Sequence, residues 1–277
     1  MDAQRTLYRE DHELFRTAVR RFVQRDYLPH QGNGAPDRPL WLKAGHQGLL
    51  CVTLPAQYGG GGDFGHAAII REEFARAGLH DQALSLHSDI VAPCIARLAT
   101  DEQQQRWLPG ICSGELVLAL AWADPDSADG EVRTRAHHEH DHYRIHGSAC
   151  VVGNGDDFDL LLLACQIDGE GGDTGLSLIV VERDRPGLDA GGTAIGLADV
   201  RVPRANLLGQ AGRGQACLDQ ALQQQHLLSV IFATSQLEQR LEPVLGSAQQ
   251  RWDPNDARLA LAAIKTRALR LGLELGS

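Results

Sequence analysis

Residues 123–134, ADPDSADGEVRT, place several carboxylates within a few positions of a proline. Such a stretch can be a metal-binding loop, a surface turn, or a cofactor site that has lost its hydroxyl groups. A calcium loop that begins at Asp124 needs glycine at its sixth position and glutamate at its twelfth. Those positions hold Asp129 and Arg135, so the calcium loop is excluded and the other two interpretations stay open.

A run of four glycines at positions 59–62 has the composition of a phosphate-binding loop. It lacks the Lys-Ser/Thr pair of a Walker motif, and it does not follow a strand pattern. We therefore expect the glycines to form a turn that leads into a helix rather than a nucleotide site.

Four histidines lie close together at His137, His138, His140 and His142. Imidazole is a common metal ligand, but no matching set of cysteines and histidines occurs elsewhere in the chain. The cluster also lies beside Gly/Asp turn signals and before a strand pattern. A solvated hairpin tip is therefore favoured over a metal site, and we predict no metal.

Composition narrows the function classes further. The net charge of −10 argues against nucleic-acid binding, because no basic stripe is available to neutralise phosphates. No run of eighteen apolar residues occurs and the first residues are polar, so we expect neither a membrane span nor a signal peptide, and a cytoplasmic location. The absence of CxxC favours buried reduced thiols at the six cysteines, Cys51, Cys94, Cys112, Cys150, Cys165 and Cys217.

The hydrophobic periodicity changes twice along the 277 residues. Residues 1–115 show apolar positions at helical spacing and predict an N-terminal helical domain. Residues 116–208 contain short apolar runs such as "FDLLLLACQ" between Gly/Asp clusters, which predict a small β-sheet or barrel domain. Residues 209–277 are helical again. The sequence thus predicts an α+β fold with three domains.

Four strings in this order resemble the acyl-CoA dehydrogenase family. "LWLKAGHQGLLCVTLPAQYGGGG" (40–62) is similar to a family stretch with Pro-x-x-Tyr-Gly-Gly, and "TDEQQQRWLPGICSGELVLALAWADP" (100–125) to GTxEQKxxxLPxLxSGExxxxxAxTEP. "HGSACVVGNGDDFDLLLLAC" (146–165) resembles NGxKxxITNGxxADxxxxxA, and "DVRVPRANLLGQAGRG" (199–214) resembles xDVxVPxxNxLGxxGxG. The resemblance implies that FAD and an acyl thioester are held between the three domains, with a glutamate base and hydride transfer to the flavin.

The catalytic base of the family has no clear counterpart. The resemblance implies a glutamate either near the end of the last domain or on that domain's first helix, just before an arginine. The last residue of the sequence is Ser277, and we expect the C-terminal helical bundle to be truncated relative to the family. The alternative position holds Gln225, whose amide is not a base, followed by His226. The histidine is a weak candidate for general base, with helix packing or surface exposure as the favoured alternative.

The flavin-binding positions that the resemblance implies are also altered. They are Trp122, Ala123, Ser127, Val151, Gly153, Asn154 and Arg251. Ala123 and Gly153 stand where the family has threonine hydroxyls, and Val151 stands where it has an aromatic ring. If each lost contact is worth about 1 kcal/mol, FAD affinity falls by about two powers of ten. We therefore predict a weakened or absent FAD site.

Three functions remain open at this point. The chain can be an active FAD-dependent acyl-CoA dehydrogenase with an unusual base, or a subunit that depends on a full-length homologous partner. It can also be a non-catalytic scaffold that binds an acyl thioester or has a regulatory role. The thioester partner is acyl-CoA or an acyl-carrier protein, and the chain gives no means of choosing between them.

An oligomer is expected from the last helices. Their apolar positions lack a fourth covering helix if the bundle is truncated, so another subunit is predicted to bury them in a homo-oligomer or hetero-oligomer. The alternative is that these side chains pack against each other and the β domain. The positions are Leu227, Leu228, Val230, Ile231, Leu259, Leu261, Ile264 and Leu269.

Overall fold

The computed structural model describes residues 8–30, 36–79, 82–127, 129–153, 157–168, 175–247 and 254–275. Helices come first, strands follow, and two long helices come last, as the sequence predicts for an α+β chain. The helices are α1 Glu10–Phe22, α2 Arg38–His46, α3 Phe64–Arg76, α4 Gln82–Ser85, α5 Ala92–Leu98, α6 Asp101–Ser113, α7 Gly214–Ser247 and α8 Pro254–Leu275. The strands are β1 Leu118–Ala121, β2 Arg135–Glu139, β3 His142–Gly153, β4 Leu160–Asp168, β5 Leu176–Glu182, β6 Leu188–Gly191 and β7 Ala194–Pro203.

The predicted fold class is confirmed, and the domain limits at residues 115 and 208 remain a proposal that this order of elements supports.

The glycine run 59–62 forms the turn before α3, whose first N–H groups are capped by Asp63. A Cβ at Gly60 would lie 2.0 Å from the carbonyl oxygen of Leu54, so the close approach of these two backbones requires glycine there.

Segment 86–91 joins α4 to α5 as a π-helical turn within one continuous helical stretch. It packs against β1 and against α7, and it therefore lies between the sheet and the C-terminal helices. Irregular turns of this kind are frequent at functional sites because they change the direction in which side chains point.

Four of the seven strands close into a ring. β1 pairs with β4 and with β3, while β2 pairs with β4 and with β3. β5 extends the sheet from β4, and β7 and β6 extend it from β3. β4 is almost entirely buried because alternate residues enter two different cores: Leu160 and Leu162 face the helices, and Leu161 and Leu163 fill the ring.

The long helices α7 and α8 cover α3. This packing buries four of the eight apolar positions for which a covering subunit was expected. Leu228, Ile231, Leu261 and Leu269 are buried within the chain itself, and Leu227 is partly buried. Val230, Leu259 and Ile264 are 40%, 62% and 48% exposed. The predicted oligomer therefore stays a proposal that rests on the exposed set alone.

A buried network of charges ties α8 to the N-terminal helices. The Lys265 ammonium lies 3.0 Å from Glu72 of α3 and 3.0 Å from Glu238 of α7. Glu72 also accepts a hydrogen bond from the Arg16 guanidinium of α1 at 2.5 Å. The side chains of Lys265 and Glu72 are only 6% and 3% exposed, so each charge depends on its partners.

None of the helices within the described ranges is long and apolar enough to span a membrane.

Candidate functional site

The sheet brings four of the predicted flavin positions to one edge. Ala121 of β1 is paired with Val151 of β3, and Ala119 is paired with Gly153. Just beyond β1, the backbone N–H of Cys150 donates to the carbonyl of Ala123 at 2.7 Å. Trp122 and Ala123 therefore continue the β1–β3 ladder, and they lie beside Val151 and Gly153. We name this place the β1–β3 edge.

The acidic stretch that follows β1 forms a turn whose polar groups bond to each other. The Asp124 N–H donates to the carbonyl of Glu131 at 2.9 Å, and the Asp124 carboxylate accepts from the Asp126 N–H at 2.9 Å. The Ser127 hydroxyl oxygen accepts from the Glu131 N–H at 2.8 Å. Ser148 of β3 lies 3.4 Å from Asp124 and fixes the turn to the edge.

The space beside Gly153 is filled by a leucine of segment 86–91. A Cβ added to Gly153 would lie 2.6 Å from Cδ2 of Leu86, a separation that real side chains do not adopt. Leu86 is 4% exposed, and Gly153 has a φ of 110°, which residues with a side chain rarely adopt. A threonine could not stand at position 153 without a change in both the backbone and Leu86.

His87 fixes segment 86–91 to the sheet. Its Nδ1 accepts from the Leu118 N–H at 3.2 Å, and its Nε2 lies 3.1 Å from the carbonyl of Ile111. Because a carbonyl only accepts, the ring is neutral with its proton on Nε2. Complete burial lowers the pKa of His87 to about 4, so the ring stays neutral at physiological pH. This anchoring holds Leu86 beside Gly153.

Gln225, at the alternative base position, and His226, the weak candidate for general base, lie on α7. The Gln225 amide donates to the Ser229 hydroxyl at 2.9 Å, one turn further along the same helix. The His226 side chain is exposed. Neither residue has a hydrogen bond to the β1–β3 edge in the described part of the chain. The two remaining candidates, Asn154 and Arg251, lie outside the described residues.

Histidines cluster at two places in the described ranges. His140 and Asp141 form the turn between β2 and β3, and His142 lies 2.9 Å from Asp141. Within the described ranges, the one group of three close ligand atoms belongs to Asp11, His12 and His66. Nδ1 of His12 accepts from the Arg9 N–H at 3.1 Å, so Nε2 carries the proton and cannot donate a lone pair to a metal.

The Asp63 carboxylate accepts the proton on Nε2 of His12, since the two groups lie 2.8 Å apart. The hydrogen bonds of the cluster are therefore those of a helix-capping and ion-pair arrangement between α1 and α3. They give no support for a metal there.

Comparison with known proteins identifies the family. A family model described as acyl-CoA dehydrogenase, N-terminal domain, matches residues 9–115. The crystal structure of an acyl-CoA dehydrogenase from Geobacillus kaustophilus superposes with a TM-score of 0.79 and 31% sequence identity, covering 97% of this chain and 78% of that one. The chain belongs to the acyl-CoA dehydrogenase family.

Two further members of the family show how much of a relative's length this chain covers. The mitochondrial long-chain specific acyl-CoA dehydrogenase of Sus scrofa is 33% identical over 268 residues, which are 89% of this chain and 62% of that protein. The chain thus spans about three fifths of the length of the curated relatives it matches. An acyl-CoA dehydrogenase complexed with FAD from Bacillus anthracis has a TM-score of 0.75 at 25% identity, covering 89% of this chain and 46% of that one.

FAD is the cofactor of the family, and the β1–β3 edge is where the resemblance places its ring. The edge carries no hydroxyl at Ala123 or Gly153, and the Leu86 methyl fills the space where a side chain at 153 would stand. At Val151 the edge has an isopropyl group in place of an aromatic ring. Within the described residues, this edge therefore does not offer the hydroxyl and aromatic contacts that the resemblance implies for the flavin.

Sequence reasoning missed Leu86, His87 and Ser148. Leu86 and His87 are separated from Gly153 by more than sixty positions along the chain, and no local pattern connects them. One signal was present for His87, a single imidazole inside the apolar helical run "ALSLHSDIVAPCIA". A histidine in such a run is typical of a buried, hydrogen-bonded ring.

Proposed function

We propose that this chain is a subunit for the family reaction, FAD-dependent α,β-dehydrogenation of an acyl thioester, and that it requires a homologous partner for catalysis. The thioester is acyl-CoA or an acyl-carrier protein. In this proposal the partner supplies the flavin contacts and the proton-abstracting base, and this chain contributes part of the shared architecture.

The proposal depends most on the contact between Leu86 and Gly153. A buried leucine methyl beside the edge takes the volume that a hydrogen-bonding side chain would need, and His87 keeps it there through two hydrogen bonds. The obstructing atom is the terminal Cδ2 methyl of Leu86, and segment 86–91, which carries it, is packed between the sheet and α7. Because Leu86 is buried, its methyl has to move within a packed core before another group can take its place.

The residues at the base position support the same proposal. Gln225 has no ionisable group, and its amide is engaged with Ser229. His226 points to solvent, where nothing in the described ranges orients it toward a substrate. Efficient proton abstraction requires a base held within hydrogen-bond distance of the carbon acid.

An exposed apolar set on the last helices offers a surface for the partner. Val230 and Leu237 are spaced by two turns of α7, and Ile264 and Leu271 are spaced by two turns of α8. Each of the four is 40% exposed or more. Repeated exposed apolar residues on one helix face mark a surface that another element covers.

Purification without added flavin, followed by a visible absorbance spectrum and an FAD titration, tests the proposal. We expect a colourless protein with FAD affinity about two powers of ten below that of a full-length relative prepared in parallel. Leu86→Ala should strengthen FAD binding about tenfold, and Leu84→Ala, which removes a buried leucine two residues earlier in the chain, should not. Stoichiometric flavin in the protein alone, together with turnover of an acyl thioester, would refute the proposal.

Co-expression with a full-length homologue distinguishes the second candidate function, a non-catalytic scaffold. A coloured complex with dehydrogenase activity above that of the homologue alone supports the partner role. Failure to form a complex, in a chain that binds an acyl thioester without flavin, supports the scaffold. The absence of an ionisable group at Gln225 agrees with both candidates, and the co-expression result decides between them.

A further inference from the structure

A groove of about 660 Å³ lies between the N-terminal helices and α7. Its walls are the loop that follows α2, the start of α3, helix α5 and the first half of α7. Pro93 and Arg97 are spaced by one turn of α5, and Gln220 and Gln224 by one turn of α7, so each helix presents one face to the groove. Its volume lies in the range of sites that bind small molecules.

The groove is separate from the β1–β3 edge. Among the described residues, its lining includes none from β1 or β3, and segment 86–91 contributes Asp89 to it rather than Leu86. Helices α5 and α7 touch beside the groove, where Sγ of Cys94 lies 3.8 Å from the carbonyl oxygen of Cys217. Arg97 follows Cys94 by three residues on α5, so it lies close to this contact between the two helices.

The two carboxylates that line the groove already have partners on other elements. Asp89 accepts a hydrogen bond from the Arg71 guanidinium of α3. Asp63 accepts from the Arg9 guanidinium at 2.9 Å and lies 2.8 Å from Nε2 of His12. None of these three partners lines the groove. The negative charges of this wall are therefore compensated from the side of α1 and α3.

Arg97 brings a positive charge to the groove without a carboxylate to compensate it. The side chain is exposed, and it forms no ion pair in the part of the chain that the structure describes. Its guanidinium contacts the side chain of Cys217, which fixes the charge at the α7 side of α5. A guanidinium has five N–H donors in one plane, so further donors remain for a carboxylate ligand.

Much of the remaining lining is apolar. Leu54 and Pro55 come from the loop after α2, Phe64 from the start of α3, and Leu228 from α7. Phe64 and Leu228 belong to the buried cluster between α3 and the last helices, so this part of the groove is continuous with the core. A hydrocarbon body placed against these side chains is removed from water, which favours its binding.

We propose that this groove binds a hydrophobic monocarboxylate, with its carboxylate on Arg97 and its apolar body against Leu54, Phe64 and Leu228. A second negative charge on the ligand would approach Asp63 or Asp89, so the groove disfavours dicarboxylates and phosphate esters. The proposal needs neither a flavin nor a catalytic base, and it stands whether or not the chain takes part in catalysis.

Isothermal titration calorimetry of the full chain with octanoate tests the proposal. Octanol, octylamine and the dicarboxylate suberate have the same number of carbon atoms and replace the single negative charge by none, by a positive charge and by two negative charges. We expect saturable binding of octanoate, and binding of each of the other three weaker by about tenfold or more. Octanoate should also raise the thermal midpoint, because it binds the folded chain.

Variants place the binding in the groove. Arg97→Gln should weaken octanoate binding about tenfold, and Arg97→Glu should make octylamine the preferred ligand. Arg21→Gln is the matched control, because it removes an exposed arginine of α1 that does not line the groove, and it should bind octanoate normally. Ala96→Phe keeps Arg97 but fills part of the groove with a ring, and it should abolish binding.

The unfolding transition of each variant shows that it is folded before its affinity is compared. Three results would each overturn the proposal: octanoate affinity that is unchanged in Arg97→Gln, octanol that binds as tightly as octanoate, or no saturable octanoate binding in the unaltered chain.

Discussion

His87 should make the stability of the chain depend on pH between about 4 and 6.5. Complete burial lowers the pKa of its imidazole from 6.5 to about 4. The folded chain therefore binds fewer protons than the unfolded chain between these two pH values, and acid favours unfolding. From the two pKa values, the contribution of His87 to the free energy of unfolding falls by about 3 kcal/mol between pH 6.5 and pH 4.

The substitution that isolates this effect is His87→Gln. A glutamine amide can donate to the Ile111 carbonyl and accept from the Leu118 N–H, but it does not titrate. Urea denaturation of both proteins from pH 7.5 to pH 4 measures the difference. Above pH 7 the variant should be the less stable of the two because its side chain is smaller and less well placed.

As the pH falls, the two stability curves should converge and then cross, because only the unaltered chain loses the histidine contribution. Carboxylates that titrate near pH 4 affect both proteins equally and cancel in the difference. Parallel curves over the whole range would refute the assignment of a neutral, buried imidazole at position 87.

Two further predictions concern the folded core. Lys265→Met should lower the free energy of unfolding by about 3 kcal/mol, because it leaves Glu72 buried with fewer partners. The control Lys43→Met removes an exposed ion pair with Asp26 and should cost less than about 1 kcal/mol. Urea denaturation measures both losses. Gly114→Ala should destabilise the chain far more than Gly48→Ala, as the thermal midpoints will show. Both glycines have positive φ, but a Cβ at Gly114 would lie 2.3 Å from the Trp41 carbonyl oxygen, and one at Gly48 would meet nothing within 4 Å. Equal losses for either pair of variants would contradict these assignments.

The fold could be predicted from local patterns. Helical spacing, short apolar runs between turn signals, and a capping residue such as Thr100 before α6 are encoded within a few positions of the chain. The near-continuous burial of β4 also follows from its apolar run "LLLLAC". Residues that are close together in the chain determine these features, so local sequence patterns predict them.

The site could be predicted only in part. The missing hydroxyls at Ala123 and Gly153 are visible in the sequence, and so is the amide at Gln225. The leucine that fills the space beside Gly153 is not visible, because Leu86 reaches it across the tertiary fold. The contacts between Cys94 and Cys217 likewise join distant parts of the chain, and the sequence predicted buried thiols without their pairing.

The network around Lys265 has a consequence for the order in which the chain matures on the ribosome. Lys265 follows Glu72 by roughly 190 residues, which at ordinary rates of translation is a delay of roughly 10–40 s. During that interval α1 and α3 can meet through contacts that do not involve α8, such as Arg16 with Glu72 and Arg20 with Glu73. The surface of α3 that α7 and α8 later cover stays open to solvent, and a holding chaperone would find it accessible until α8 docks.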